Sequence, residues 1–152
     1  MALKIWQFVS IFLSALVAGA FWGPWLGLTR GHIQFQPDTF LAVDHRMIRN
    51  FSSVMPILMP ATMLSVLPVL FIMRHRRSIE LYLNAGGLTL LVAALLVTLI
   101  VEVPIDKQIA SWTAATLPEN WRQLWRRWEI FHAIRTAAAV SGLAFLIGGA
   151  IL

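Results

Sequence analysis

The chain is 152 residues long, 59% hydrophobic and only 12% charged, with a mean hydropathy of +0.74. A water-soluble domain carries about a quarter charged residues, so an ordinary soluble fold is excluded and the chain is expected to face lipid. It has no cysteine, which excludes disulfide frameworks, thiolate-bound metals and cysteine nucleophiles; its formal charge of +5, in so apolar a chain, points to topology and lipid headgroups rather than to nucleic acid.

Four spans are predicted in chain order. The first, residues 5–28, lies in the charge-free stretch between Lys4 and Arg30 and exceeds the roughly 20 helical residues that a hydrocarbon core requires. Its beginning resembles a signal peptide, with Lys4, an apolar run and the small triplet Ala18-Gly19-Ala20. The apolar run continues through Phe21, Trp22 and Trp25, so a retained helix is expected. Asp38, after Pro37, is expected to cap a helix running through Asp44, His45 and Arg46 into Asn50, which places His45 just above the second span. That span, residues 51–73, contains Pro56, Pro60 and Pro68, and kinks there can open a cavity. The third, residues 81–101, carries Asn84, Gly86 and Gly87 near its start, where small side chains permit close helix approach. Pro104 is expected to stop that helix and to leave Asp106 at the membrane surface, paired with Lys107, Arg127 or Arg135. The fourth span, residues 130–152, is rich in Ala, Ser and Gly. The predicted fold is all-α: a single domain, residues 1–152, forming an antiparallel four-helix transmembrane bundle with helical extensions of the first and third loops on one membrane face.

Orientation follows from charge. The short loop Arg74-His75-Arg76-Arg77 is compact and basic, which marks it as cytoplasmic and places both termini inside, in what is expected to be a bacterial inner membrane. The two long loops hold more Lys and Arg in total, but these are spread over residues 29–50 and 102–129 among acids. In either orientation the two long loops share a face, and there the chemistry-capable groups collect: His32, Asp44, His45, Asp106, Glu119 and Glu129, with His132 just inside the fourth span. Trp22, Trp25, Trp112, Trp121, Trp125 and Trp128 fall on the same face and only Trp6 on the other. An interfacial belt explains individual tryptophans, but not so one-sided a distribution.

Thr116-Leu117-Pro118-Glu119 reads as a helix start, with Thr116 as N-cap and Glu119 as its capping-box partner, and a helix from there to the end of the chain runs about 50 Å. Along it Trp121, Trp125, Trp128, His132 and Arg135 recur at steps of four, three, four and three, on one face. Interfacial anchors, a bonded bundle histidine and a snorkelling arginine are the ordinary account of such a stripe. Arg135 nevertheless lies beyond the loop with alanines after it, and an ionisable group inside a span is a functional-site candidate. One turn apart, His132 can move a proton while Arg135 stabilises developing negative charge.

Val103-Pro104-Ile105-Asp106, Trp112, Leu117-Pro118, Trp121, Arg127-Trp128, His132 and Arg135-Thr136 resemble the C-terminal signature of the anthrone-oxygenase-like family of small four-helix membrane proteins. Ala18-Gly19-Ala20-Phe21 and Asn50 with Met55-Pro56 extend the resemblance over nearly the whole chain. At the position of Asp106 the family is expected to carry Asn more often, so an acid there adds a charge. The resemblance implies oxidation of an anthrone to an anthraquinone with molecular oxygen as co-substrate and no cofactor. His132 would then be the base and Arg135 the anion stabiliser. Trp121, Trp125 and Trp128 would wall a flat substrate, with His45 and Asp106 orienting the site and Asn50 contributing to substrate binding.

Two other classes stay open from the residues alone. One is a haem- or metal-binding membrane protein with His45 and His132 as ligands, although no His pair has the i, i+3 or i, i+4 spacing of a compact site. The other is a noncatalytic quinone- or lipid-binding or assembly subunit. The scarcity of charge in the first three spans argues against a coupled transporter. The expected partners are the bilayer, a lipophilic small molecule, and a second copy or another membrane protein.

Overall fold

A computed structural model of the chain describes residues 1–29, 34–75 and 78–152. Helix α1 (Ala2–Pro24) runs into a five-residue π-helical turn, Trp25–Thr29. Helix α2 (Pro37–Met73) is followed by α3 (Ile79–Val97), a second π-helical turn (Thr98–Glu102), α4 (Val103–Ser111) and α5 (Trp121–Ile151). The described residues are all-α, with four long helical stretches packed together: Ala2–Leu28, Pro37–Met73, Ile79–Ser111 and Trp121–Ile151 are each long and apolar enough to cross a membrane. Their outer surface is apolar, with Phe8, Ile57, Phe71 and Ile100 among its most exposed side chains. Water would not tolerate so continuous a patch, whereas lipid favours it, and the chain is an integral membrane protein.

Three boundaries differ from the sequence reading, each for a local reason. The expected helix before the second span merges with it into one 37-residue helix, which starts at Pro37 with Gln36 as N-cap, so Asp38 sits in the first turn rather than at the cap. Pro104 does not stop the third helix. The π turn advances the chain so that the Val103 N–H bonds the Thr98 carbonyl five residues back, and Pro104 then falls in the first turn of α4, where its missing N–H is not needed. Thr116 is not the cap of α5: its Oγ1 accepts from the Thr113 N–H at 2.8 Å within a separate turn, and the helix begins only at Trp121 behind Asn120. That leaves a 31-residue helix of about 46 Å.

The core forms three clusters along the bundle: Phe40, Leu41, Ile105, Ile109 and the α5 tryptophans; Val17, Phe21, Met59, Ala94 and Ala139; and Val66, Leu91 and Leu146. Gln7 near the start of α1 bonds the Gly149 carbonyl near the end of α5, at 3.2 Å, while Phe21 near the end of α1 meets His132. Helices α3 and α5 touch through glycines. A Cβ on Gly87 would lie 3.0 Å from the Gly142 carbonyl oxygen and 2.9 Å from Leu146, and one on Gly149 would collide with Asn84. In lipid, where apolar association has little hydrophobic drive, such backbone proximity is a main source of helix affinity. Gly87→Leu is therefore expected to lower stability by about 1–3 kcal/mol in thermal or denaturant unfolding of the detergent-solubilised protein. Gly19→Ala, at a position with nothing within 4 Å, serves as the neutral control.

Candidate functional site

The α5 stripe faces inward as its spacing predicts: Trp121, Trp125, Trp128, His132 and Arg135 are all buried. The three tryptophans are thus core residues and not interfacial anchors. Trp125 and Trp128 stack at 4.6 Å between ring centroids and 15° between planes, and Trp128 stacks on His132 at 4.5 Å and 9°. The result is a column of three parallel rings ending at Arg135, whose guanidinium lies 4.3 Å above the Phe21 ring.

The π turn and α4 place polar rungs opposite the Trp128–His132–Arg135 end of this column. Thr98, Glu102 and Asp106 recur every four residues. Thr98 Oγ1 accepts from Arg135 Nη1 at 3.2 Å while donating to the Ala94 carbonyl at 2.8 Å. Glu102, with no exposed side-chain surface, forms an ion pair with Arg135 Nη2, and its Oε1 lies 3.8 Å from His132 Nδ1. Asp106 Oδ1 accepts from Trp128 Nε1 at 2.9 Å.

These contacts set the protonation pattern of His132. Nε2 lies 3.1 Å from the Phe21 carbonyl, which can only accept, so Nε2 carries the hydrogen. Nδ1 then holds the lone pair, and it accepts from Arg135 Nε at 3.1 Å and Nη2 at 2.8 Å. A bonded donor on one side and an occupied lone pair on the other hold the ring in the column. The Thr136 hydroxyl donates to the His132 carbonyl at 2.6 Å, to the backbone and not to the ring.

Beside the column lies a cavity of about 340 Å³, within the range of small-molecule pockets. Its wall is mostly apolar and comes from every helix; its polar groups include Asp44, Asp106, His132 and Arg135, with Trp125 and Trp128 as flat surfaces. Of the residues singled out by sequence, Asp106, Trp125, Trp128, His132 and Arg135 therefore meet around one space. Three do not line it. Trp121 packs on Phe40 at 4.3 Å, below the column. His45 turns to α4, where its Nε2 donates to the Ile109 carbonyl at 3.0 Å. Asn50 is exposed. His32 lies outside the described residues.

The expected ion pair of Asp106 with Lys107, Arg127 or Arg135 is corrected: Asp106 is an acceptor for Trp128, and the carboxylate bonded to Arg135 is Glu102. Glu102 is one turn nearer the bundle centre and level with the guanidinium, whereas Asp106 is level with the indole. Sequence reasoning gave Glu102 no role; the signal was its spacing of four from both Thr98 and Asp106. Among the described residues, no group of three or more His, Asp or Glu is arranged to hold a metal ion. Asp106→Asn retains an acceptor for Trp128 and is expected to leave stability nearly unchanged. Asp106→Leu strands the buried indole N–H and should cost about 1–3 kcal/mol in the same unfolding measurement.

Four membrane-length helices that enclose an Arg–Glu–His cluster beside an apolar cavity define a small integral membrane protein with a polar site inside its bundle. The family model described as Anthrone oxygenase matches residues 45–145, and the chain belongs to that family. No curated protein and no solved structure matches the chain. The matched stretch holds Glu102, Asp106, Trp128, His132 and Arg135, but not α1, whose Phe21 carbonyl fixes the His132 ring. Membership of this family suggests an oxygenase-like function.

Proposed function

We propose that this protein is a membrane oxygenase that converts a lipophilic, planar aromatic substrate of anthrone type to the corresponding quinone, with molecular oxygen as co-substrate and no cofactor. In this reading residues 1–152 form one antiparallel transmembrane bundle, with the long-loop segments and the site toward one membrane face and both termini cytoplasmic. The observation that carries it is the Trp125–Trp128–His132 column ending at Arg135 on the wall of an apolar cavity. A flat ring system continues such a wall by offset stacking, and its carbonyl oxygen reaches the guanidinium.

The bonding supports a sequence of proton movements. As substrate binds, its carbonyl oxygen draws Arg135 N–H groups away from His132 Nδ1 and frees that lone pair. His132 Nδ1 then takes the acidic proton from the ring carbon opposite the carbonyl. The C–H electron pair delocalises onto the oxygen, where Arg135 stabilises it. Glu102, beside both groups, balances the imidazolium as a carboxylate partner does in other histidine-based sites. The enolate gives one electron to dioxygen, the resulting radical and superoxide combine to a peroxide anion, the His132 imidazolium returns its proton to give the hydroperoxide, and loss of water leaves the quinone. One dioxygen is consumed and one water released per turnover. Incubating the detergent-purified protein with anthrone, while following oxygen uptake and quinone absorbance together, tests the proposal. The absence of protein-dependent uptake would sink it.

A further inference from the structure

The cavity is not sealed equally on all sides. Residues lining it from α1 and α5, including Phe21, Trp125, Trp128 and His132, are buried or half-buried. The exposed lining residues lie on two helical stretches: Ser52 and Pro56 on α2, and Leu99, Lys107 and Ala110 on the π turn and α4 that end the stretch Ile79–Ser111. The opening is thus between α2 and the α3–α4 stretch. It is flanked by side chains that face outward into lipid: Val54 and Ile57 on one side, Leu96 and Ile100 on the other.

Both edges of this opening coincide with breaks in the helical hydrogen-bond ladder. Pro56 has no N–H, so the Ser52 carbonyl one turn earlier loses its usual helical donor. Across the gap, Leu99 lies within the π turn, where carbonyls bond five residues on. π turns and proline kinks are where a helix bends and where its surface departs from close packing. Here one break stands on each side of the same gap, at the level of the catalytic column.

We propose that the substrate enters sideways from the hydrocarbon, through a portal bounded by Ser52 and Pro56 on α2 and by Leu99 on the π turn, so that the site selects uncharged, planar molecules already dissolved in the bilayer. This rests on the reading of the cavity as a substrate site. Lys107, exposed on the same rim, marks the headgroup end of the portal. A molecule travelling in the acyl-chain region therefore arrives below it, past portal edges, Ser52, Pro56 and Leu99, that carry no charge. The route also explains why the polar groups sit behind an apolar entrance: water and ions meet lipid first, and the ring system does not.

The absence of cysteine permits a direct test. Single-cysteine variants Ser52→Cys and Leu99→Cys are alkylated with a bulky lipid-soluble maleimide, with Phe8→Cys, exposed on α1 and away from the cavity lining, as control. The labelled proteins are reconstituted in vesicles of dibrominated phosphatidylcholine, whose quencher is confined to the lipid. Part of the indole quenching, assigned to Trp125 and Trp128 by its loss in the Trp→Phe variants, should fall by about half or more when Ser52→Cys or Leu99→Cys is labelled, and not with Phe8→Cys. Anthrone turnover at low substrate should slow about tenfold in the same labelled proteins. Quenching of Trp125 and Trp128 that is absent, or unchanged by rim labels, overturns the portal. Quenching relieved by rim labels in a protein that never oxidises anthrone upholds the portal and removes the oxygenase reading; turnover indifferent to the labels does the reverse.

Discussion

Glu102→Leu is expected to be the most destabilising single substitution in the bundle, lowering the unfolding free energy by about 3–5 kcal/mol. Arg135 is 9% exposed and Glu102 is fully buried, and their ion pair is shared with His132 Nδ1 and Thr98 Oγ1. Removing the carboxylate leaves a guanidinium inside the bundle with only neutral acceptors. Such a pair adds little relative to an apolar isostere, but breaking one half is costly because the other charge stays buried. The double variant Glu102→Leu, Arg135→Met should therefore recover most of the loss, while Glu102→Gln should fall in between. Thermal unfolding in mild detergent reads all three. Equal stability of Glu102→Leu and wild type would mean that the pair does not hold the guanidinium as described.

The second large effect is on turnover. His132→Gln is expected to reduce oxygen consumption with anthrone by about 10²–10⁴-fold while changing stability little. A glutamine amide can still donate to the Phe21 carbonyl and accept from Arg135, the two bonds that hold the imidazole now, but it cannot take a proton. That distinction matters because His132→Ala would also open a gap between Trp128 and Phe21, confusing packing with chemistry. Arg135→Lys is the companion variant: it keeps the charge and loses the fork that reaches Glu102, Thr98 and His132 together. Turnover unaffected by His132→Gln would remove the imidazole from the mechanism.

The four long helices were legible because the signal for a membrane helix is length and apolarity, and both survive any uncertainty about which side faces inward. The inward face of α5 was legible for a different reason. Trp121, Trp125, Trp128, His132 and Arg135 keep helical spacing, and a positive charge that deep has few places to go. What the same stripe did not reveal was the use of its tryptophans, since indole suits an interface and a core equally; only the packing against Phe40 and Ile109 distinguishes them. Glu102 was missed because Pro104 follows it by two residues and suggested a helix end. The π turn between Thr98 and Glu102 keeps the chain helical past that proline, and a five-residue hydrogen-bond register leaves no mark in hydrophobic periodicity. His45 and Asn50 show the converse: a polar residue just outside an apolar run reads as aimed at the site, whereas one bonds a neighbouring helix and the other is exposed.

The rungs between α5 and the α3–α4 stretch also act as a vernier. In lipid, an apolar helix can slide along its neighbour by one turn at little cost, since leucine meets leucine in either position. Thr98, Glu102 and Asp106 forbid that, because a slip of one turn separates Arg135 from Glu102 and Trp128 from Asp106 at once. A buried polar group fixes axial alignment in the same way in coiled coils. The groups to which the proposal gives chemistry thus also serve as the fold's measuring marks, and the placement of Glu102 beside both His132 and Arg135 is set by the alignment that keeps the helices from drifting.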